Sequence, residues 1–242
     1  MIKRSFYCLF FVGTLTSCGL YRQNVVNVPL FQEKGQIQAG GHIGGTGYDG
    51  QVGFAVTDKI AVIGNYNSNK KTTNYSSTNY SHFSHQFYEF GLGHYRKTTN
   101  GLLHEYFLNV GQGNTLTNGA GGDTIYGHTA PYIFTRSAKY TRIMLQADFG
   151  KIVNNFEFAL SPRLFMIDFH SVIDTENNAY LTLPHTFLWS DLAFTFRYCP
   201  TSFLKLSGQV SCTLPVTGFK QAYYDASPFN ASIGLILNLD AF

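Results

Sequence analysis

The sequence predicts an all-β protein: a closed antiparallel, transmembrane up-and-down β-barrel of about ten strands, within a range of roughly 8 to 12. Three observations carry that reading. From residue 35 almost to the end the apolar residues recur with a period of two, and no stretch shows a helical period. The positions opposite each apolar row are polar or small, which suits a narrow lumen better than a solvated face. Aromatic residues make up 16% of the chain and charged residues only 13%, against about 25% charged in ordinary soluble domains.

The amino terminus sets the address. Lys3 and Arg4 precede an apolar run over residues 6–12, and Leu15-Thr16-Ser17-Cys18 follows. The run is too short to span a bilayer, which takes about 20 residues, but has the basic front and small-residue end of an export signal. Leu15-Thr16-Ser17-Cys18 resembles the bacterial lipoprotein signal, which implies that the Cys18 thiol takes a diacylglyceryl group before cleavage. An ordinary cleaved signal with an incidental cysteine is the alternative. The expected organisation is a signal peptide over residues 1–17, a lipid-anchored periplasmic tether over 18–34 carrying Pro29, and the barrel domain over 35–242.

The strands follow in order. Residues 35–44 alternate Gln36, Gln38, Gly40 and His42 with Ile37, Ala39, Gly41 and Ile43. Residues 51–56 and 60–66 flank Thr57-Asp58-Lys59, a hairpin composition that sets Val56 opposite Ile60 and Phe54 opposite Val62. A polar loop is expected over 67–83, and then residues 86–96 set Tyr88, Phe90, Leu92 and His94 against Glu89, Gly91, Gly93 and Tyr95. After a turn at 97–101, residues 103–113 set His104, Tyr106, Leu108 and Val110 against Glu105, Phe107, Asn109 and Gly111. Residues 114–138 read as the longest irregular stretch, with room for an extra strand at 132–136. Residues 140–150 and 156–169 form the next pair around Val153-Asn154-Asn155. Ile143, Leu145, Phe158, Leu160, Leu164 and Met166 lie on their apolar faces, with Arg142, Asp148, Glu157 and Arg163 opposite. Residues 186–198, 203–213 and 230–239 complete the set, with Asp191, Arg197 and Lys205 opposite rows such as Leu192, Phe194 and Phe196.

Connections alternate between about 3 to 5 residues and about 6 to 25, the pattern of membrane barrels with short periplasmic turns and long extracellular loops. Lipid supplies no hydrogen bonds, so extended chain crosses it only as a closed sheet. Tyr88, Tyr106, Tyr198 and Trp189 are candidates for interfacial girdles. At this point the chain resembles the small outer-membrane β-barrel proteins of diderm bacteria. More narrowly, it is similar to uncharacterised lipoprotein barrels in which a segment like Pro29-Leu30-Phe31-Gln32-Glu33-Lys34-Gly35 leads into the first strand and one like Phe54-Ala55-Val56-Thr57-Asp58-Lys59-Ile60 follows. The resemblance implies an outer-membrane location, contact with outer-membrane lipid, and handling by the barrel-insertion and lipoprotein-export machineries. One departure stands out: Phe242 is terminal, yet Leu235, Leu237 and Leu239 fall in the opposite register from the usual carboxy-terminal insertion signal. The rival architecture is a soluble β-barrel or sandwich tethered by Cys18 in the periplasm, a lipoprotein whose apolar rows meet in one core and bind an apolar ligand.

Inward-facing polar rows collect Glu89, Glu105, Arg142, Asp148, Glu157, Arg163, Asp191, Arg197 and Lys205 in the lumen. Mixed signs point to a mutual network that plugs the bore, with a narrow path for a solute or a proton as the functional variant. His42, His82, His85, His128, His170 and His185 map to the long-loop rim, but their spacings match no ligand motif. His94 and His104 are expected to neighbour each other near the periplasmic rim. Residues 40–47 are rich in glycine but lack the Lys-Ser/Thr and following helix of a phosphate loop. Of the four cysteines, Cys8 leaves with the signal, and Cys199 and Cys212 are expected too far apart to bridge. Without Lys3 and Arg4 the seventeen basic residues fall to fifteen against fourteen acidic ones, a net charge of about +1 that gives no support to nucleic-acid binding. The expectation is a non-catalytic envelope role, structural, loop-mediated or as a narrow conduit, without metal or cofactor. An enzyme acting on lipid or peptide at the outer rim is the alternative.

Overall fold

The computed structural model describes residues 21–74, 79–125, 128–175, 179–180, 186–217 and 228–240. Cys18 and the signal stretch before it, His185 and Phe242 lie outside the described residues. The strands are β1 (Gln36–Gly44), β2 (Gly47–Ala55), β3 (Ile60–Asn74), β4 (Tyr80–Lys97), β5 (Leu102–Ile125), β6 (His128–Val153), β7 (Phe156–Asp174), β8 (Ala179–Tyr180), β9 (Thr186–Tyr198), β10 (Leu204–Pro215) and β11 (Phe229–Asp240). Every described pairing between consecutive wall strands is antiparallel, β1 pairs with β11, and β6 pairs with β7, so the sheet closes on itself. Ten of the eleven strands form the wall. The two-residue β8 is an annex on β7. Closure leaves the ten-strand wall without an edge, which is what lets extended chain sit in hydrocarbon.

The period of two decides which side chains face where. Leu108, Leu145, Phe90 and Ile233 on the outer face are 54, 59, 61 and 74% exposed, and the apolar rows of the other wall strands point outward with them. A soluble barrel would turn those rows inward. The soluble, ligand-binding alternative is therefore set aside, and the wall has the apolar exterior and polar interior of a transmembrane barrel. Aromatic side chains cluster toward both ends of the outer wall. Tyr66 packs against Tyr88 with ring centroids 4.9 Å apart, and Phe156, Phe196 and Tyr198 group near the short turns. Trp189, expected in a girdle, instead points inward and is 6% exposed.

The hairpin at Thr57-Asp58-Lys59 has the expected register, Phe54 opposite Val62. Two of the expected long loops are strand. β3 and β4 pair up to Asn74 and Tyr80, and β5 and β6 pair from Leu102–Lys151 to Ile125–His128. Above the hydrocarbon the outward row turns polar, as at Lys70, Thr72, His82 and Asn114, while Phe83, Thr115 and Thr117 stay buried inside, so the ladder continues without the apolar outward row that betrays it in a sequence. His104 also sits opposite Arg96, while His94 pairs with Tyr106, two residues out of the expected register. Cys199 and Cys212 are both free, with Cys212 opposite Leu192.

Candidate functional site: the barrel interior

Alternation aims all nine predicted lumen residues inward, and each is at most 5% exposed. Arg142 places Nε at 3.1 Å and Nη2 at 2.5 Å from Glu89 Oε2. Arg163 pairs with Asp191 through its Nε, 2.6 Å from Oδ2, and also through its Nη2. Glu157 accepts from Arg197 Nη1 at 3.2 Å and from Lys205 Nζ at 2.8 Å. Charges of this burial persist only when paired and hydrogen-bonded, and these charge-assisted bonds link neighbouring parts of the wall: Arg163 to Asp191 and Arg197 to Glu157 across the β7–β9 ladder, Lys205 to Glu157 over β9, and Arg142 to Glu89 over β5.

Residues 18–34 were expected to be a periplasmic tether. Instead residues 21–31 run inside the barrel, buried throughout except for the half-buried Arg22. A ten-strand barrel is somewhat wider than the bore that wall side chains alone can fill, and this segment takes up the difference. It makes no strand pairing, so its peptide groups must find other partners. Gln209 receives the Val26 N–H at 2.7 Å and returns its own Nε2–H to Val26 O at 3.1 Å. The Val25 N–H donates to Asp49 at 3.1 Å, and Gln51 donates to Val25 O at 2.9 Å. Gln146 donates to Asn27 O at 2.7 Å, and Arg197 to Val28 O at 2.5 Å. Pro29 has no N–H to satisfy.

Leu30 has φ of +57°. That left-handed turn costs a non-glycine residue roughly 1 to 2 kcal/mol. It aims two successive amides at one carboxylate, with Leu30 N 3.0 Å and Phe31 N 2.7 Å from the two oxygens of Glu105. The wall is cut to match. A Cβ on Gly150 would lie 2.3 Å from Leu30 Cδ2, and one on Gly53 would lie 3.0 Å from Phe31 Cζ.

Side chains of the segment complete the ionic network. Arg142 donates to Tyr21 Oη at 2.5 Å and to Asn24 Oδ1 at 2.9 Å, and Gln23 donates to Asp191 at 3.0 Å. Apolar layers enclose this belt. Toward the long loops, Tyr21 packs with Tyr140, Phe165 and Trp189. Toward the short turns, Val26, Val28 and Leu30 pack with Leu103, Ala159 and Ala193, and Phe31 packs with Ala55, Ile63 and Tyr95.

Reading the sequence strand by strand missed Asp49, Gln51, Gln146, Gln209 and the inner segment itself. A usable signal was present: Val25, Val26, Val28, Leu30 and Phe31 are too apolar for a solvated tether.

The rim histidines separate into two kinds. His42 and His85 are buried and inward, with His85 held between Asn67 at 3.0 Å and Tyr140 at 2.8 Å. His82, exposed, bonds Thr72. His170 is the extra residue of a β-bulge, since Lys139 pairs with Ser171 and Tyr140 with Phe169. On the outer face its Nε2 lies 2.7 Å from Thr141 Oγ1, and its Nδ1 lies 3.5 Å from Asp168 Oδ2. Among the described residues no group of three or more His, Cys, Asp or Glu is placed to hold a metal ion.

No model of a known protein family matches the chain. No curated protein matches it either. Among solved structures it is similar to the translocator domain of the autotransporter NalP from Neisseria meningitidis, with 9% identity and a TM-score of 0.48 over 84% of this chain and 85% of that one. It is also similar to the transport unit of the autotransporter AIDA-I from Escherichia coli, with 13% identity and a TM-score of 0.38 over 91% and 93%. CarO of Acinetobacter baumannii matches at 12% identity and a TM-score of 0.30 over 86% and 97%.

Proposed function

We propose that this protein is an outer-membrane lipoprotein, acylated at Cys18, whose barrel is stopped by its own amino-terminal segment and has a non-catalytic envelope role. It is a rigid stand for the sheet that β3 to β6 raise beyond the membrane. The occupied bore carries this reading. Residues 21–31, bonded to β2, β5, β6, β9 and β10, occupy the interior through which a solute would have to pass. The function then falls to the outer surface. β5 and β6 have 24 and 26 residues against 13 and 12 in β9 and β10, where a crossing needs only about 9 to 11. Exposed Lys70, Lys71, Thr72 and Asn74 lie on that raised part, on the side expected to face outward from the cell and meet a loop ligand. The wall contacts outer-membrane lipid, and the barrel-insertion and lipoprotein-export machineries deliver it.

Planar-bilayer recording tests the closed state. Wild-type protein is expected to show no stepwise conductance, and a variant deleted for residues 21–31 is expected to show it. Steady conductance from wild-type protein would overturn the reading.

A second reading rests on Thr141, His170 and Asp168, which line up hydroxyl, imidazole and carboxylate in the order of a nucleophilic relay at the membrane–water boundary. It expects fatty-acid release from phospholipid vesicles that stops in His170→Ala. No release by wild-type protein, or equal release by the variant, removes it.

A further inference from the structure

The direction in which the inner segment runs bears on where the lipid anchor sits. Gly35 N–H donates to Ala55 O at 2.8 Å, which fixes the segment's carboxy-terminal end at the short-turn rim. From there the chain climbs past Glu105, Arg197, Gln209 and Asp191 until Tyr21 stands against Tyr140, Phe165 and Trp189.

Tyr140 is thirteen residues from Val153, the short-turn end of β6. At about 3.3 Å per residue and a strand tilt near 40°, that places Tyr21 about 33 Å above the short-turn rim. Cys18 is three residues from Tyr21, a reach of at most about 11 Å. A seated segment therefore cannot return Cys18 to the leaflet on the short-turn side.

The opposite rim is near. Trp189 is the fourth residue of β9, so the upper end of the wall lies only about 10 Å along the strand from Tyr21. The strands on this side are short, 13 and 12 residues in β9 and β10 against 24 and 26 in β5 and β6, and Leu214, Val216 and Phe229 leave 55, 49 and 73% of their surface exposed there.

We infer that the chain ahead of Tyr21 opens toward the long-loop side of the barrel, and that the acyl chains on Cys18 enter the outward leaflet. The inference rests on the lipid-anchored reading above. It makes the barrel the route by which the anchor reaches the far side of the membrane, with the inner segment as the chain left in the bore. The partner surface is lipid of the outward leaflet, contacted beside the exposed apolar rim.

The test uses full-length protein in cells, with Cys199→Ser and Cys212→Ser removing the two remaining free thiols. Single cysteines are introduced by Gly19→Cys, by Asn74→Cys on the raised sheet, and by Asn100→Cys in the short turn between β4 and β5. A membrane-impermeant maleimide on intact cells is expected to label the Gly19→Cys and Asn74→Cys proteins, and to label Asn100→Cys protein only after permeabilisation. An epitope inserted between Gly19 and Leu20 gives a second readout, antibody binding to intact cells.

If position 19 and the epitope both become reachable only after permeabilisation, as position 100 does, the inference is overturned. If Asn74→Cys and Asn100→Cys proteins exchange behaviour, the assumed orientation of the barrel fails instead. If a fatty-acid label enters wild-type and Cys18→Ser proteins alike, or neither, the lipid reading fails while position 19 still reports the side of exit. A Leu30→Cys, Gly150→Cys pair is expected to cross-link in the folded barrel, because a Cβ on Gly150 would lie 3.2 Å from Leu30 Cγ. Absence of that cross-link would refute the seated segment on which the reach depends.

Discussion

Replacing Arg142 by methionine isolates what the ionic belt contributes. The guanidinium is fully buried and holds Glu89 through two nitrogens, Tyr21 and Asn24 through two hydrogen bonds, and the faces of Phe87 and Phe165 at 4.3 and 5.4 Å. Methionine keeps most of the stem contacts but leaves the Glu89 carboxylate, which also accepts from Asn65 at 2.8 Å, buried without its counter-ion. Breaking a buried pair from one side costs about 3–5 kcal/mol, chiefly because a charge is left without its counter-ion. Arg142→Met combined with Glu89→Gln removes that charge, so the double variant should recover all but about 1–2 kcal/mol, the net worth of the lost hydrogen bonds. Urea unfolding of the four proteins in detergent micelles, followed by tryptophan fluorescence and by migration of unheated samples on gels, gives the cycle. A double variant no more stable than Arg142→Met alone would refute the reasoning, since the loss would then come from the packing against Phe87 and Phe165.

Gly150→Leu should unseat the inner segment, because the new side chain claims the space of Leu30, and single-channel steps absent from the wild type should appear in planar bilayers. Adding Leu30→Gly, which also relieves the positive φ, should close the bore again. Glu105→Gln should loosen the seat without changing its shape, since a neutral amide accepts the Leu30 and Phe31 N–H groups more weakly; brief openings in the same recording would show it, and an unchanged closed trace would count against the double-amide clasp. On the outer wall, Leu145→Arg or Leu164→Arg should cost about 2–4 kcal/mol if those residues sit near the bilayer midplane. The same change at the already exposed Leu116, on the raised sheet, should cost little in a vesicle-refolding assay.

The sequence alone determined the wall. A two-residue period sorts side chains by face in any extended strand, and rows such as Phe90-Leu92 and Ile143-Leu145 against Glu89 and Arg142 admit one closed solution in lipid. The inward residues were legible for the same reason, and so was the hairpin register around Asp58. What the tertiary structure decided is everything that runs across the barrel. Arg142 meets Glu89 over the intervening β5, and Arg163 meets Asp191 because β9 pairs with β7 in that register; which strands pair, and in which register, no local pattern encodes. The extensions of β5 and β6 escaped notice because beyond Gln112 and before Tyr140 the outward row holds polar residues such as Asn114 and Lys139, and the apolar alternation is lost. The inner segment escaped because a stretch that bonds only to side chains has no period at all. Val25 to Phe31 find their place through Gln209, Glu105 and Gly150, which are far away in the chain and neighbours only once the sheet has closed.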